Sequence, residues 1–202
     1  PVSQSNEVEA LYEDHSGNLW VGTMGGGLYR YDRLSDQFRP YPGIKDSTYL
    51  NNSKIRAICG DHSGRLWLGT ISGLTVIDTR TNQSVKYMPD DTKPGALRSG
   101  NILSLFEDSR KRMWVGTDKG LYVYDSIHHN FISYFHDNKN SESLCSDQIR
   151  AIAESADGYL WVGTSNGLSR FSQDMKKVRN FGFSPTDNHT LSGNLIYSVA
   201  VD

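Results

Sequence analysis

Apolar and polar positions along the chain repeat every 47 residues, and no window carries the i, i+3, i+4, i+7 stripe of an amphipathic helix over ten residues. The four tryptophans, Trp20, Trp67, Trp114 and Trp161, stand 47 residues apart, inside LWVGT, LWLGT, MWVGT and LWVGT. An aliphatic residue returns on the same period at Val8, Ile55, Ile102, Ile149 and Ile196. Leucines do so at Leu50, Leu97, Leu144 and Leu191. Asp14, Asp61, Asp108 and Asp202 mark a further frame, with Ser155 as its exception. So many coincident frames make the chain a tandem array.

Within one period everything reads as strand. In residues 55–88, IRAICG is a short run of small and β-branched residues, and DHSG follows with Asp first and Gly fourth, the chemistry of a type I turn. LWLGT is apolar on both faces, so it needs cover on both sides. ISG turns the chain into LTVIDT, and TNQ leads into SVKYM. Four strands per period joined by short turns predict an all-β fold, a β-propeller of four blades with four antiparallel strands each. The repeats run over 8–54, 55–101, 102–148 and 149–195 in a single domain spanning 1–202. Linkers near 41–54, 89–101, 136–148 and 183–195 are rich in Asp, Asn, Ser, Pro and Gly and are expected as surface loops. The partial repeat 196–202 supplies the first strand of a fifth blade, with Asp202 opening the next turn. A leftover strand edge is a pairing hazard. The expectation is therefore a segment of a longer protein, a ring of about seven blades in roughly 330 residues.

Composition narrows the class. With 21 basic and 23 acidic residues the net charge is −2, against the basic surplus of nucleic-acid binders. The longest apolar run, Leu195 to Val201, is seven residues, where a membrane helix needs roughly 20. No basic-then-apolar leader opens the chain. Cys59 and Cys145 form no metal or redox spacing.

The consensus of inner strand, D-x-x-G, LWVGT, then GL and YD resembles the two-component regulator propeller repeat. It reads EDHSGNLWVGTMGGGLYRYD at 13–32 and EDSRKRMWVGTDKGLYVYD at 107–125. Two departures stand out: Lys111 replaces the turn glycine found at Gly17, Gly64 and Gly158, and Ser155 replaces the turn aspartate. The resemblance implies a large, usually seven-bladed propeller in the periplasmic sensor region of a bacterial hybrid histidine kinase. It implies as partners the remaining blades, downstream sensor domains and glycan-derived oligosaccharides, with a homodimer as a further option. It implies no cofactor.

Residues repeated in every blade are spread around a ring, so they read first as scaffold. The tryptophans can be read as sugar-stacking platforms, but blade-to-blade packing is the stronger reading. Paired catalytic carboxylates are excluded for Asp14, Asp61 and Asp108 by their separation, which leaves turn capping. Function is expected where the repeat breaks its own rule. The second residue of the inner strand does so, as Glu9, Arg56, Leu103, Arg150 and Tyr197, followed by small residues from Ala10 to Ser198. With the turn tips Met24, Ile71, Asp118, Lys119, Ser165 and Asn166, these are expected at one mouth of the central channel. Arg56, Arg150, Tyr197, Lys119 and Asn166 are the candidate ligand contacts. The guanidinium fork suits a carboxylate or sulfate, and the competing reading is a salt bridge to a neighbouring blade's acid. His128, His129 and His136 lie on one outer hairpin, but adjacent residues of a strand point to opposite faces, which speaks against joint metal ligation. No hydrolase elbow, phosphate loop or Cys/His dyad appears, so a ligand-sensing module is favoured, ahead of a protein–protein platform and a propeller lyase or hydrolase.

Overall fold

In the computed structural model, residues 7–41 and 54–201 are described; Leu50, Asp202 and most of the first linker lie outside them. Sixteen strands form four sheets and no helix occurs among the described residues. The first sheet holds β1 (Val8–Glu13), β2 (Leu19–Thr23), β3 (Leu28–Asp32) and β4 (Gln37–Pro40). The second holds β5 (Ile55–Gly60), β6 (Arg65–Thr70), β7 (Leu74–Asp78) and β8 (Ser84–Tyr87). The third comprises β9 (Ile102–Glu107), β10 (Met113–Thr117), β11 (Gly120–Asp125) and β12 (Asn130–Tyr134). The fourth comprises β13 (Ile149–Glu154), β14 (Leu160–Thr164), β15 (Gly167–Phe171) and β16 (Val178–Phe181). Each sheet is a meander in chain order, bearing out the blade expected from the period. The chain divides into two compact units, Pro1–Leu105 and Phe106–Asp202, with the division inside β9.

Two repeating frames meet to lock one blade onto the next. In the first unit, a Cβ built on Gly22 would stand 2.6 Å from Cγ2 of Ile55, and one on Gly69 would stand 2.5 Å from Cγ2 of Ile102. In the second unit the same holds for Gly163 and Ile196, at 2.6 Å. The glycine of LWVGT is thus needed for close approach, since any side chain would push the next inner strand away. Residues 195–201 form no strand, although Ile196 N–H donates to the Thr164 carbonyl at 3.0 Å. The expected fifth inner strand is thus not formed: the segment docks at Ile196 without a ladder.

The tryptophans sit in these joints. Trp20 is 1% exposed and packs with Ile55, Ile58, Leu66 and Leu68 of the next sheet, and the Tyr41 ring meets it edge-on at 5.1 Å. In the second unit Trp114 packs with Ile149, Ile152, Leu160, Val162 and Phe171. Trp67 is equally buried, whereas Trp161, in the last sheet, is half-buried. Every indole also lies under a guanidinium. Arg30 covers Trp20 at 5.9 Å, Arg65 covers Trp67 at 5.6 Å, Arg112 covers Trp114 at 5.4 Å and Arg170 covers Trp161 at 5.5 Å. The cation comes from two residues before the Trp in the middle blades and from its cross-strand neighbour in the outer two. Two structural positions thus share one task, adding about 0.5–2 kcal/mol per pair. The linker leucines Leu97 and Leu144 are each 1% exposed, so each of these linkers is pinned by a buried apolar residue, with its Asp- and Asn-rich stretch (90–94 and 137–142) exposed.

Candidate functional site

The turn aspartates do more than cap. Asp61 Oδ1 accepts the Ser63 and Arg65 amides at 3.0 and 2.9 Å, while Oδ2 accepts the Trp67 indole N–H at 2.8 Å and Arg65 Nε at 2.7 Å. Asp14 and Asp108 repeat the arrangement, reaching Trp20 Nε1 at 2.9 Å and Trp114 Nε1 at 2.8 Å. In the fourth blade Ser155 Oγ takes over as acceptor for Trp161 Nε1, at 3.2 Å. Burial alone would raise the Asp14 and Asp61 carboxyls, but the hydrogen bonds from indole, side chain and backbone outweigh it and hold both below the usual range. Each carboxylate is fully engaged within its own blade, which suits a clamp and gives it no free lone pair for acid–base work. The threonines of LWVGT close the opposite turn: Thr23, Thr70, Thr117 and Thr164 Oγ1 donate to the carbonyls of Gly27, Gly73, Gly120 and Gly167 at 2.9–3.0 Å.

Lys111 keeps the turn that its glycine counterparts make. Its φ is 64°, beside 76°, 82° and 80° at Gly17, Gly64 and Gly158. Its N–H donates to the Asp108 carbonyl at 2.8 Å. The geometry is preserved at the expense of left-handed strain in a residue with a Cβ, about 1–2 kcal/mol.

The rule-breaking position of the inner strand has a structural meaning. Pairing register shifts between Val8 and Ala10, between Ile55 and Ala57, and between Ile149 and Ala151. Glu9, Arg56 and Arg150 are thus β-bulge residues, freed from the ladder and re-aimed, as bulges do. The small residue after each bulge faces the glycine of LWVGT, as in Ala57 opposite Gly69 and Ala151 opposite Gly163.

The two bulge arginines have different surroundings. Arg56, in the first unit, donates through a terminal nitrogen to Asn101 Oδ1 at 2.7 Å, just before the third inner strand. Arg150, in the second unit, donates to Gln148 Oε1 at 3.2 Å and stacks its guanidinium over the Tyr197 ring at 5.1 Å. The counterpart of Asn101 in its surroundings is Leu195, which offers no side-chain acceptor. The Nε of both arginines is buried without a hydrogen-bond partner. Among the described residues neither arginine meets an acid, so the salt-bridge expectation is corrected: the acceptors are side-chain amides. Tyr197 is 70% exposed and offers a ring face beside the charge. Ser165 N–H donates to the Gln148 carbonyl at 3.1 Å, and Ser165 and Ser146 share a hydroxyl hydrogen bond, so polar groups ring the Arg150 bulge.

Lys119 and Asn166 stand exposed on the β10–β11 and β14–β15 turns, their amides tied to Thr117 and Thr164 Oγ1 at 2.9 and 3.0 Å. No hydrogen bond among the described residues joins either side chain to Arg150. Reasoning from sequence found Arg150 and Tyr197 but missed Gln148 and Asn101; the frame Lys54, Asn101, Gln148 and Leu195 carried the signal, one residue before the inner strand.

The histidines are engaged separately. His128 Nδ1 lies 2.6 Å from Asp125 Oδ2, His129 Nδ1 meets the Tyr124 hydroxyl at 2.9 Å, and His136 is held by the Leu144 carbonyl and Asn138 Oδ1. Those two acceptors favour the doubly protonated ring and raise the His136 pKa. Among the described residues no group of His, Cys, Asp and Glu is arranged to hold a metal ion.

Comparison with known proteins follows the same lines. The extracellular domain of a protein assigned to a one-component system, BT4673 of B. thetaiotaomicron, superposes with a TM-score of 0.77 at 21% identity, over 100% of this chain and 26% of that one. The extracellular domain assigned to the hybrid two-component system BT3049 of the same organism gives 0.71 at 23%, over 91% and 25%. Virginiamycin B lyase of Staphylococcus aureus gives 0.52 at 12%, over 93% and 74%. The chain thus spans about a quarter of the length of the two extracellular domains, and at these identities the likeness is one of fold. No curated protein matches by sequence. Fold and repeat define a tandem-repeat β-propeller. The two-component regulator propeller family matches at residues 3–25, 49–72, 96–119 and 143–166, and the chain belongs to that family.

Proposed function

We propose that this chain is a ligand-sensing, extracytoplasmic part of a bacterial two-component sensor, located in the periplasm, that binds glycan-derived oligosaccharides and relays occupancy to a kinase elsewhere in the full protein. The observation that carries the reading is Arg150 on its bulge, stacked on the exposed ring of Tyr197, with leucine at the position from which Asn101 meets Arg56. An aromatic face beside a guanidinium and an amide is suited to a sugar: the ring packs on pyranose C–H groups, and the polar atoms read hydroxyls or a carboxylate. Family membership supports the sensing role. No helix among the described residues is long and apolar enough to cross a membrane, so the signal has to leave through other segments.

The role is binding without chemistry, a reading supported by the commitment of the recurrent aspartates to indoles. A second reading, a protein–protein or dimerisation platform, draws on Phe38 and Ile132, which are 54% and 52% exposed on the outer strands β4 and β12. Calorimetric titration with oligosaccharide fractions separates the two. Saturable heat that disappears in Tyr197→Ala supports sensing. Flat titrations alongside concentration-dependent dimerisation support the platform, and turnover of any fragment would establish an enzyme instead.

A further inference from the structure

The residue that ends each inner strand forms its own frame: Glu13, Gly60, Glu107 and Glu154. Glu154 shows what a carboxylate does there. It reaches the third blade's turn and accepts the Ser109 amide at 2.6 Å and the Ser109 hydroxyl at 3.0 Å. The matching amide in the first blade's turn is that of His15, which has no partner among the described residues. Gly60 has nothing to offer it. A side chain at this position is also obstructed, since a Cβ on Gly60 would stand 2.6 Å from the Tyr12 hydroxyl.

The missing carboxylate leaves a cleft of about 180 Å³ between the first two blades, lined in part by His15, Ser16, Arg65, Thr79 and Arg80. Asp14 and Asp61 also line it, but their oxygens are occupied by indole and backbone donors. Two cations offset them. Arg65 is 37% exposed and Arg80 75%, each paired with an aspartate of its own blade, and Arg65 also lies over the Trp67 ring. The volume lies below the roughly 300–1,000 Å³ of drug-sized sites, which limits the occupant to a short acid or one acid-bearing ring.

We propose that this cleft binds a small carboxylate from solution, its acid group taking the place that Glu154 fills in the second unit. The ligand carboxylate accepts the His15 N–H, with Arg65 and Arg80 alongside. This site is separate from the Arg150 bulge and does not depend on the sensing role. Nitrogen-15 spectra during titration of the 202-residue chain with glucuronate, and with glucose as the neutral counterpart, test it. The His15 amide should shift saturably with glucuronate and stay still with glucose, while the Ser109 amide, already occupied, stays still with both. Arg80→Ala should weaken binding about twofold to fivefold. Glu154→Ala is the control: the positions matching Arg65 and Arg80 are Tyr159 and Asp174, so the freed Ser109 amide, without cations beside it, should still not respond to the acid. A His15 amide that does not shift, or shifts equally with glucose, overturns the proposal, as does a Ser109 amide that shifts with the acid in Glu154→Ala as strongly as His15 does.

Discussion

In the first unit Arg56 leaves its bulge and finds Asn101 at 2.7 Å; in the second, Arg150 leaves an equivalent bulge, finds Gln148 at 3.2 Å and lies on an exposed tyrosine. Residue type, strand position and backbone irregularity are the same in both. What differs is the acceptor: Asn101, 45 positions on, for Arg56, and Gln148, two positions before, for Arg150, where the residue 45 positions on is Leu195. An arginine held at 2.7 Å by an amide ahead of the next inner strand is scaffold, whereas one held at 3.2 Å by an amide of its own blade, with leucine at position 195, keeps donors for another partner. The apolar interior tells the opposite story. Trp20 and Trp114 share the same indole acceptor, the same guanidinium cover and the same aliphatic neighbours. The repeat is therefore strict where blades touch and loose where they face solvent, and binding capacity gathers in the loose part.

The largest expected effect sits in the strict part. Trp114→Ala should cost about 3–5 kcal/mol in urea unfolding, as for a buried aromatic, and Trp161→Ala about half as much because its ring is only half-buried. Equal losses would mean that packing on the next blade is not what the indole supplies. Asp61→Asn should come next, at about 1–3 kcal/mol, since it loses the charge that holds Arg65 and weakens acceptance from indole and backbone. Its folded pKa lies below the unfolded value, so the carboxylate's contribution is present above about pH 4 and lost as pH falls through the folded pKa. The variant should accordingly be less stable at neutral pH and show a flatter acid limb; an unchanged acid limb would remove Asp61 from the account. Lys111→Gly should stabilise the third blade by up to about 1 kcal/mol in thermal unfolding, with relief of the left-handed strain partly offset by glycine's greater unfolded freedom. The smallest effect sharpens the arginine comparison directly. Leu195→Asn gives Arg150 the acceptor that Arg56 has, and should add about 0.5–1 kcal/mol of stability while weakening oligosaccharide binding.

Much of this was legible in the order of residues. A period of 47 with Trp, Gly, Thr and Asp in fixed places specifies the four sheets, because each of those types has a single role that recurs: indole in the joint, glycine under the next isoleucine, threonine and aspartate in the turns. The bond from each aspartate to the indole six residues on was not legible, since a β-turn pattern accounts for the aspartate without it. The source of the guanidinium was hidden because it moves between two structural positions, two residues before the Trp at 65 and 112 and opposite it on the next strand at 30 and 170, and those last two do not share a 47-residue frame. Arg150 and Tyr197 were found because they break a pattern. Their inequality with Arg56 was not, since it depends on a contact between residues 45 apart. The fifth strand was read from the Ile196 frame alone, and a strand exists only when a ladder partner pairs with it.

The most direct test pairs Arg150→Ala with Arg56→Ala and measures both melting temperature and oligosaccharide affinity on each. The account expects Arg150→Ala to abolish binding with little change in melting, and Arg56→Ala to lower the melting temperature and leave affinity intact. Loss of binding in Arg56→Ala with full affinity in Arg150→Ala would contradict it.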